Sequence, residues 1–249
     1  MKYNSDRLLT TAEAARFLRV SQASVRRWSD AGLLRARRVG RRGERRFSEN
    51  DLVVFLNAGV RGRPAAGTDT AVNVGGVTLA IPAHVATFFS TDTGGLRLTV
   101  PFFVEGLRLG QPCFLAASGT TLDRYMEALS RQRDVNFERS VAEGEYKVMK
   151  FQTGTAAGAV AEWEDAFARV LARKPAVIRI AGEMSSVRAM FISEEEMLRF
   201  EEALEVMYKR YPVVVICQYD VRDFTGLALL RALKAHPDMF GLRTGTFLN

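Results

Sequence analysis

Arginine dominates the positive charge at the start of this chain. Residues 1–63 carry 15 Lys+Arg, 14 of them arginine, against 6 Asp+Glu, an excess of +9. The other 20 Lys+Arg and 22 Asp+Glu leave residues 64–249 at −2, for the total of +7. Guanidinium forks match phosphate oxygens and guanine edges. An arginine-rich module on a near-neutral body therefore points to double-stranded DNA as a partner. The residues placed for that contact are Ser21, Gln22, Ser24, Arg26, Arg27 and Trp28, then Arg41, Arg42, Arg45 and Arg46.

A second set has different chemistry. His84, Phe88, Phe89, Phe102, Phe103 and Glu183 combine aromatic bulk with two polar groups, the composition of a small-molecule site. Core packing accounts equally well for the phenylalanines, and a satisfied core or capping role for His84 and His236. No Ser-His-Asp, Cys-His or metal-spaced cluster stands out, so no catalytic residue, metal or cofactor is assigned.

The DNA-facing residues need short helices to present them. Thr10-Thr11-Ala12-Glu13 reads as a capping box that starts a first helix. Ser21 caps a second helix through Trp28, which stops near Ala31-Gly32. Two short helices with a tight turn make a helix-turn-helix, the second entering the major groove. Residues 33–47 then form a wing with its tip between Gly40 and Gly43, anchored by Val39 and Phe47, whose arginines meet phosphates or the minor groove. Ser48 to Asp51 caps a third helix, with Leu52, Val53, Phe55 and Leu56 closing a small core. Residues 58–76, rich in Gly, Arg and Pro, read as a linker.

From residue 77 the pattern alternates strands and amphipathic helices. Strands are expected at 112–117, 146–151, 176–181 and 213–218, with a last one at 239–244. Helices are expected at 120–131, 159–172, from 193, and at 224–235. This alternation implies a parallel sheet covered on both faces, with any pocket at the strands' C-terminal ends. Cys113 and Cys217 fall on strands expected to be neighbours, as buried and inert thiols.

Residues 8–56 resemble the MerR-type and excisionase-like DNA-binding domains. Thr11-Ala12-Glu13-Ala14-Ala15, Val25-Arg26-Arg27-Trp28, Ala31-Gly32-Leu33-Leu34, Arg45-Arg46-Phe47-Ser48 and Asp51-Leu52 carry the likeness. The long dimerising helix of MerR proteins is replaced by the linker. The larger part looks RecA-like with a degenerate phosphate loop: Ser118-Gly119-Thr120-Thr121 follows the first long strand and lacks the lysine that would neutralise phosphate. It also resembles the MEDS sensory domain, through His84-Val85-Ala86-Thr87-Phe88-Phe89, residues 100–111, Gly182-Glu183-Met184, Phe200-Glu201, Tyr211-Pro212, Ile216-Cys217-Gln218-Tyr219 and Ala235-His236. That resemblance implies a sensor of small, hydrocarbon-derived ligands.

The sequence thus divides into 1–57, a winged helix-turn-helix; 58–76, the linker; and 77–249, an α/β sensory domain. The expected function is a cytoplasmic transcription regulator, homodimeric and controlled by a small effector. The opening residues contain no apolar signal segment, no apolar run reaches bilayer length, and two cysteines suit a reducing compartment. Two other readings stand beside it: a RecA-like ATP-using enzyme recruited to DNA, and an excisionase-like architectural protein.

Overall fold

The computed structural model describes residues 8–18, 22–30, 34–40, 43–61 and 71–241. Strand β1 (Leu8–Thr10) leads into α1 (Thr11–Leu18), and α2 (Gln22–Asp30) follows. The capping box forms: the Thr10 amide donates to Glu13 Oε2 at 2.8 Å, and the Glu13 amide to Thr10 Oγ1 at 3.2 Å. The wing is β2 (Arg37–Val39) and β3 (Glu44–Ser48), and β1 pairs along β3 to make a three-stranded sheet. That third strand is not anticipated by the sequence reading; three residues are too few to show alternation. Phe47 is fully buried as expected, whereas Val39 is 44% exposed and anchors nothing. Gly40 and Gly43 both take positive φ at the wing tip, and the Gly43 amide donates to the Gly40 carbonyl. Ser48 Oγ accepts from the Asp51 amide at 3.0 Å and so starts α3 (Glu49–Arg61).

The stretch read as linker is narrower at both ends. Helix α3 runs on to Arg61, and β4 (Ala71–Val74) pairs with β5 (Val77–Ala80). Val72 and Val74 alternate into the core of the larger part, so apolar periodicity, not composition, decides where that part begins.

The larger part is built on β6 (Ala83–Phe89), β7 (Cys113–Ala116), β8 (Tyr146–Met149), β9 (Ile178–Glu183) and β10 (Val213–Asp220), all parallel in the order β6-β10-β9-β7-β8. Every residue of β6, β9 and β10 is buried, as a sheet covered on both faces requires. Helix α4 (Gly94–Arg108) packs on the sheet and against α5 (Gly119–Ser130), which is followed by α6 (Phe137–Ala142). Helices α7 (Ala156–Leu171), α9 (Glu194–Met207) and α10 (Gly226–Ala235) pack on one another, with the short α8 (Met184–Ala189) beside β9. The chain steps one way across the sheet from β6 to β8 and back through β9 to β10. Right-handed crossovers then put the two helix groups on opposite faces.

Three expectations need correction. The segment 83–89 is the sheet's first strand, so the loop after the first strand is Ser90 to Thr93, not Ser118 to Thr121. Cys113 and Cys217 are both buried but lie on β7 and β10, with β9 between them. The expected last strand is instead a 3-10 turn over Pro237–Gly241, with residues 242–249 outside the described residues. This turn covers the β6 edge with side chains: the His84 amide donates to Asp238 Oδ2 at 3.0 Å and the Ala86 amide to Met239 Sδ at 3.3 Å. These side chains meet two of the outward donors of that edge strand.

Arg179 ties α4 to the sheet. From β9 its Nε donates to Gln111 Oε1 and its Nη1 to the Phe102 carbonyl, both at 2.7 Å. Gly106 lets α4 come this close, since a Cβ there would stand 2.5 Å from Arg179 Cδ and 2.9 Å from Cys113 Sγ. Gly106→Ala is expected to destabilise the protein by about 1–3 kcal/mol. Urea denaturation should show a lower midpoint at unchanged slope. A wild-type midpoint would mean that α4 stands farther from β9.

Candidate nucleic-acid interface and sheet crevice

Helix α2 divides its residues by face. Val25 and Trp28 are buried, while Gln22 and Arg26 are exposed on the other side, 3.4 Å apart through Gln22 Oε1 and Arg26 Nη2. Ser21, Arg41 and Arg42 lie outside the described residues, as do the side chains of Ser24 and Arg27.

The wing adds a feature the sequence reading passed over. Arg37 stands opposite Arg46 and Arg38 opposite Arg45 on the paired strands. Like charges directly across an antiparallel pair are destabilising. Two acids relieve part of this: Arg46 pairs with Glu44 at 2.8 Å, and Arg45 with Asp30 at the end of α2. Arg35, Arg37 and Arg38 are exposed. The wing thus carries one arginine pair on each of its faces, beside the end of α2 at Asp30, and each pair is suited to an anion.

Trp28 departs from the expectation of a DNA contact. It is 2% exposed, and its Nε1 donates to Glu164 on α7. Its ring lies 5.1 Å from Phe55, and the Arg210 guanidinium stands 4.6 Å from both rings. The indole therefore joins the head to the body. Its large apolar area has to be buried, and it belongs to the head's core among the described residues while its N–H reaches α7.

The six residues expected to line one ligand pocket are not brought together. Side chains alternate across a strand, so Phe89 faces α4 while His84 and Phe88 face α9 and α10. Phe88 stacks on Tyr219 at 5.5 Å. Phe102 lies under the Arg179 guanidinium, and Phe103 meets Tyr146 edge-on. All four phenylalanines are core residues.

Phe89 and Glu183 do meet, in a cleft of about 230 Å³ at the C-terminal ends of β6, β9 and β10. Its other walls are Asp92, Leu96, Thr121, Arg124, Tyr125, Ser185, Asp220, Arg222 and Asp223. This is where a parallel α/β sheet opens its crevice. Glu183 caps α8, its carboxylate accepting from the Ser185 and Ser186 amides at 3.0 and 2.9 Å. Arg222 is held by Asp220 at 2.6 Å and Asp92 at 2.8 Å, and this guanidinium holds Asp220 below the usual carboxylate range.

The loop entering α4 from β6 reads Ser90-Thr91-Asp92-Thr93-Gly94-Gly95-Leu96, again without lysine. A Cβ on Gly94 would lie 2.5 Å from Phe89 Cβ, and one on Gly95 would lie 2.7 Å from the Tyr125 hydroxyl. Tyr125 donates to Gln218, whose Nε2 donates to the Gly95 carbonyl at 2.7 Å. Aromatic side chains thus pack directly against both glycines of this loop. At the other loop, Ser118 is the N-cap of α5 without a side-chain bond.

Among the described residues, one group of potential metal ligands converges: His84, Glu201, Cys217 and His236. Burial holds the His84 imidazole well below its usual range, and burial together with Glu201 pushes the Cys217 thiol well up. Sequence reading missed this group because its members are scattered from residue 84 to residue 236.

Comparison with known proteins finds matches in two separate stretches of the chain. Residues 83–237 match the MEDS family, described as the methanogen/methylotroph, DcmR sensory domain, and residues 8–60 match a helix-turn-helix domain. The transcriptional repressor DcmR of Methylorubrum extorquens is 30% identical over 249 residues, covering 96% of this chain and 93% of that protein. Among solved structures, the flagellar accessory protein FlaH of Methanocaldococcus jannaschii superposes with a TM-score of 0.44 at 12% identity, over 63% of this chain and 69% of that one. No described helix is long and apolar enough to cross a membrane.

Proposed function

The chain belongs to the MEDS family and carries a helix-turn-helix head before its sensory body, and from that premise we propose a cytoplasmic transcription regulator whose grip on double-stranded DNA is set by a small effector. DNA-binding regulation is the level at which family and head agree, and an enzymatic role is not part of it. The observation that carries the reading is the pair of cross-strand arginine couples on a wing joined to the end of α2, whose Gln22 and Arg26 are exposed. Gln22, Arg26 and the neighbouring Ser21, Ser24 and Arg27 are proposed to meet the major groove. Arg45 and Arg46, with Arg41 and Arg42, are proposed to meet the backbone beside it.

The effector is proposed to enter the cleft at Phe89 and Glu183. The polar walls there suit an oxygenated hydrocarbon derivative, such as a short alcohol, better than a bare hydrocarbon, and the volume admits only a small one. Asp92, Glu183, Asp220 and Asp223 outnumber Arg124 and Arg222, and aromatic side chains pack against the loop's glycines, so a nucleotide triphosphate is disfavoured. An effector shifts DNA affinity only by its differential binding to two arrangements of the protein. One small head reaches few base edges, so useful specificity calls for two heads per site and hence a homodimer.

The test is a mobility-shift titration of the full chain on DNA from upstream of its own gene, with and without short alcohols and with ATP. Light scattering of the complex gives the stoichiometry. The expected result is two chains per site and an affinity that responds to an oxygenated small molecule. A response to ATP alone would return the crevice to nucleotide chemistry. Binding indifferent to every additive would favour an architectural role.

A further inference from the structure

Four side chains from four elements meet on the sheet face opposite α4. His84 comes from β6, Cys217 from β10, Glu201 from α9, and His236 closes α10. Each is 0–2% exposed. His84 Nε2 lies 3.3 Å from Cys217 Sγ and 3.7 Å from Glu201 Oε2. Cys217 Sγ lies 3.7 Å from Glu201 Oε1, and His236 Nε2 lies 3.2 Å from Glu201 Oε2. All four ligand atoms fall within 4.8 Å of one another.

These separations have a specific meaning. A tetrahedral zinc ion with ligands at about 2.0–2.3 Å sets its ligand atoms about 3.3–3.7 Å apart. The four separations, 3.2–3.7 Å, lie close to that edge length, and the other pairs are no farther apart than 4.8 Å. His236 Nε2 is completely buried and faces Glu201 Oε2 at 3.2 Å without the geometry of a hydrogen bond. Leaving a buried polar atom unpaired is costly, and burying a carboxylate among neutral groups more so.

The outer ring points the same way. His236 Nδ1 is 2.6 Å from the Ala232 carbonyl, which fixes the proton there and turns the Nε2 lone pair inward. His84 Nδ1 is 3.4 Å from Glu205 Oε2, an outward carboxylate partner for the imidazole. Metal-ligating histidines are oriented by second partners of this kind. The Tyr219 hydroxyl donates to Glu201 Oε2 at 3.3 Å.

We propose that His84, Glu201, Cys217 and His236 form a closed, structural zinc site that pins α9 and the end of α10 to β6 and β10. Thiolate, carboxylate and two neutral imidazoles bring two negative charges, which a divalent ion cancels within an apolar core. Nitrogen, oxygen and sulfur donors in one small set select a borderline metal such as zinc over magnesium or calcium. The site is separate from the crevice, on the other face of the sheet, and does not depend on what the crevice binds.

The test uses the full chain, purified without chelators. Elemental analysis should find one zinc per chain. Exchange with cobalt(II) should give a thiolate-to-cobalt charge-transfer band, abolished in Cys217→Ser and kept in Cys113→Ser, whose sulfur lies across β9. Glu205→Gln should weaken zinc affinity by about 10–100-fold while the four ligands stay in place. The proposal is overturned by folded wild-type protein that takes up neither zinc nor cobalt, or by a charge-transfer band that survives Cys217→Ser. Should Cys217→Ser fail to fold, metal content and the wild-type cobalt spectrum still decide.

Discussion

Replacing Arg37, Arg38, Arg45 and Arg46 together by glutamine is expected to lower operator affinity by roughly three orders of magnitude near 0.1 M salt. The slope of log affinity against log salt should fall by about 3–4, at ~0.9 for each phosphate no longer neutralised. The magnitude follows from the cross-strand couples, Arg37 opposite Arg46 and Arg38 opposite Arg45. Such pairs repel, and Asp30 and Glu44 relieve only part of that repulsion, so the wing keeps a charge density that a closely spaced anion relieves further. A polyphosphate backbone is that anion. Relief of the repulsion also sets the sign of a second measurement. The substituted head should be no less stable to heat than the wild type, because two repulsive pairs are removed along with the pairing to Asp30 and Glu44. Weaker DNA binding accompanied by a lower melting temperature would make the couples a structural element. An unchanged salt slope would take the wing out of the interface.

Local rules made much of this architecture legible. The capping box at Thr10 and Glu13, the Ser48 cap and the buried Phe47 depend on residues within a few positions of one another, and the structure has them as the sequence implies. The parallel sheet was legible for a similar reason: continuous apolar runs such as residues 213–218 have no other stable use. Strand β6 was not, because residues 83–89 follow a short hairpin that read as linker and carry a histidine within the run. Missing it displaced the expected phosphate loop by one strand and one helix. The crevice was legible only as a location. The packing of Phe89 and Tyr125 against Gly94 and Gly95 is something no spacing announces. The buried cluster at His84 was out of reach for a stronger reason. Its four members share a point only because β6 and β10 are neighbours and α9 crosses them.

Trp28 shows the limit of reading one helix by itself. On an isolated α2 it belongs to the arginine-bearing stretch and suggests a contact to DNA. In the fold it lies one turn from buried Val25 and faces Glu164 and Arg210. Arg210 is informative here. Burial lowers its pKa, and the Glu164 carboxylate together with the rings of Trp28 and Phe55 offsets part of that cost. Trp28→Ala is therefore expected to cost about 3–5 kcal/mol, as removal of a buried tryptophan does. Among the described residues the head's core has ten buried hydrophobic side chains, and a destabilisation of that size should abolish DNA binding on every sequence at once. Trp28→Phe keeps a ring between Phe55 and Arg210 but removes the N–H that Glu164 accepts. It is expected to cost about 1–3 kcal/mol, with operator preference intact. Thermal melts and competition against single-base variants of the operator separate the two roles. If Trp28→Phe leaves stability unchanged but relaxes preference at one base pair, Trp28 reads DNA, and the head must leave α7 in order to bind.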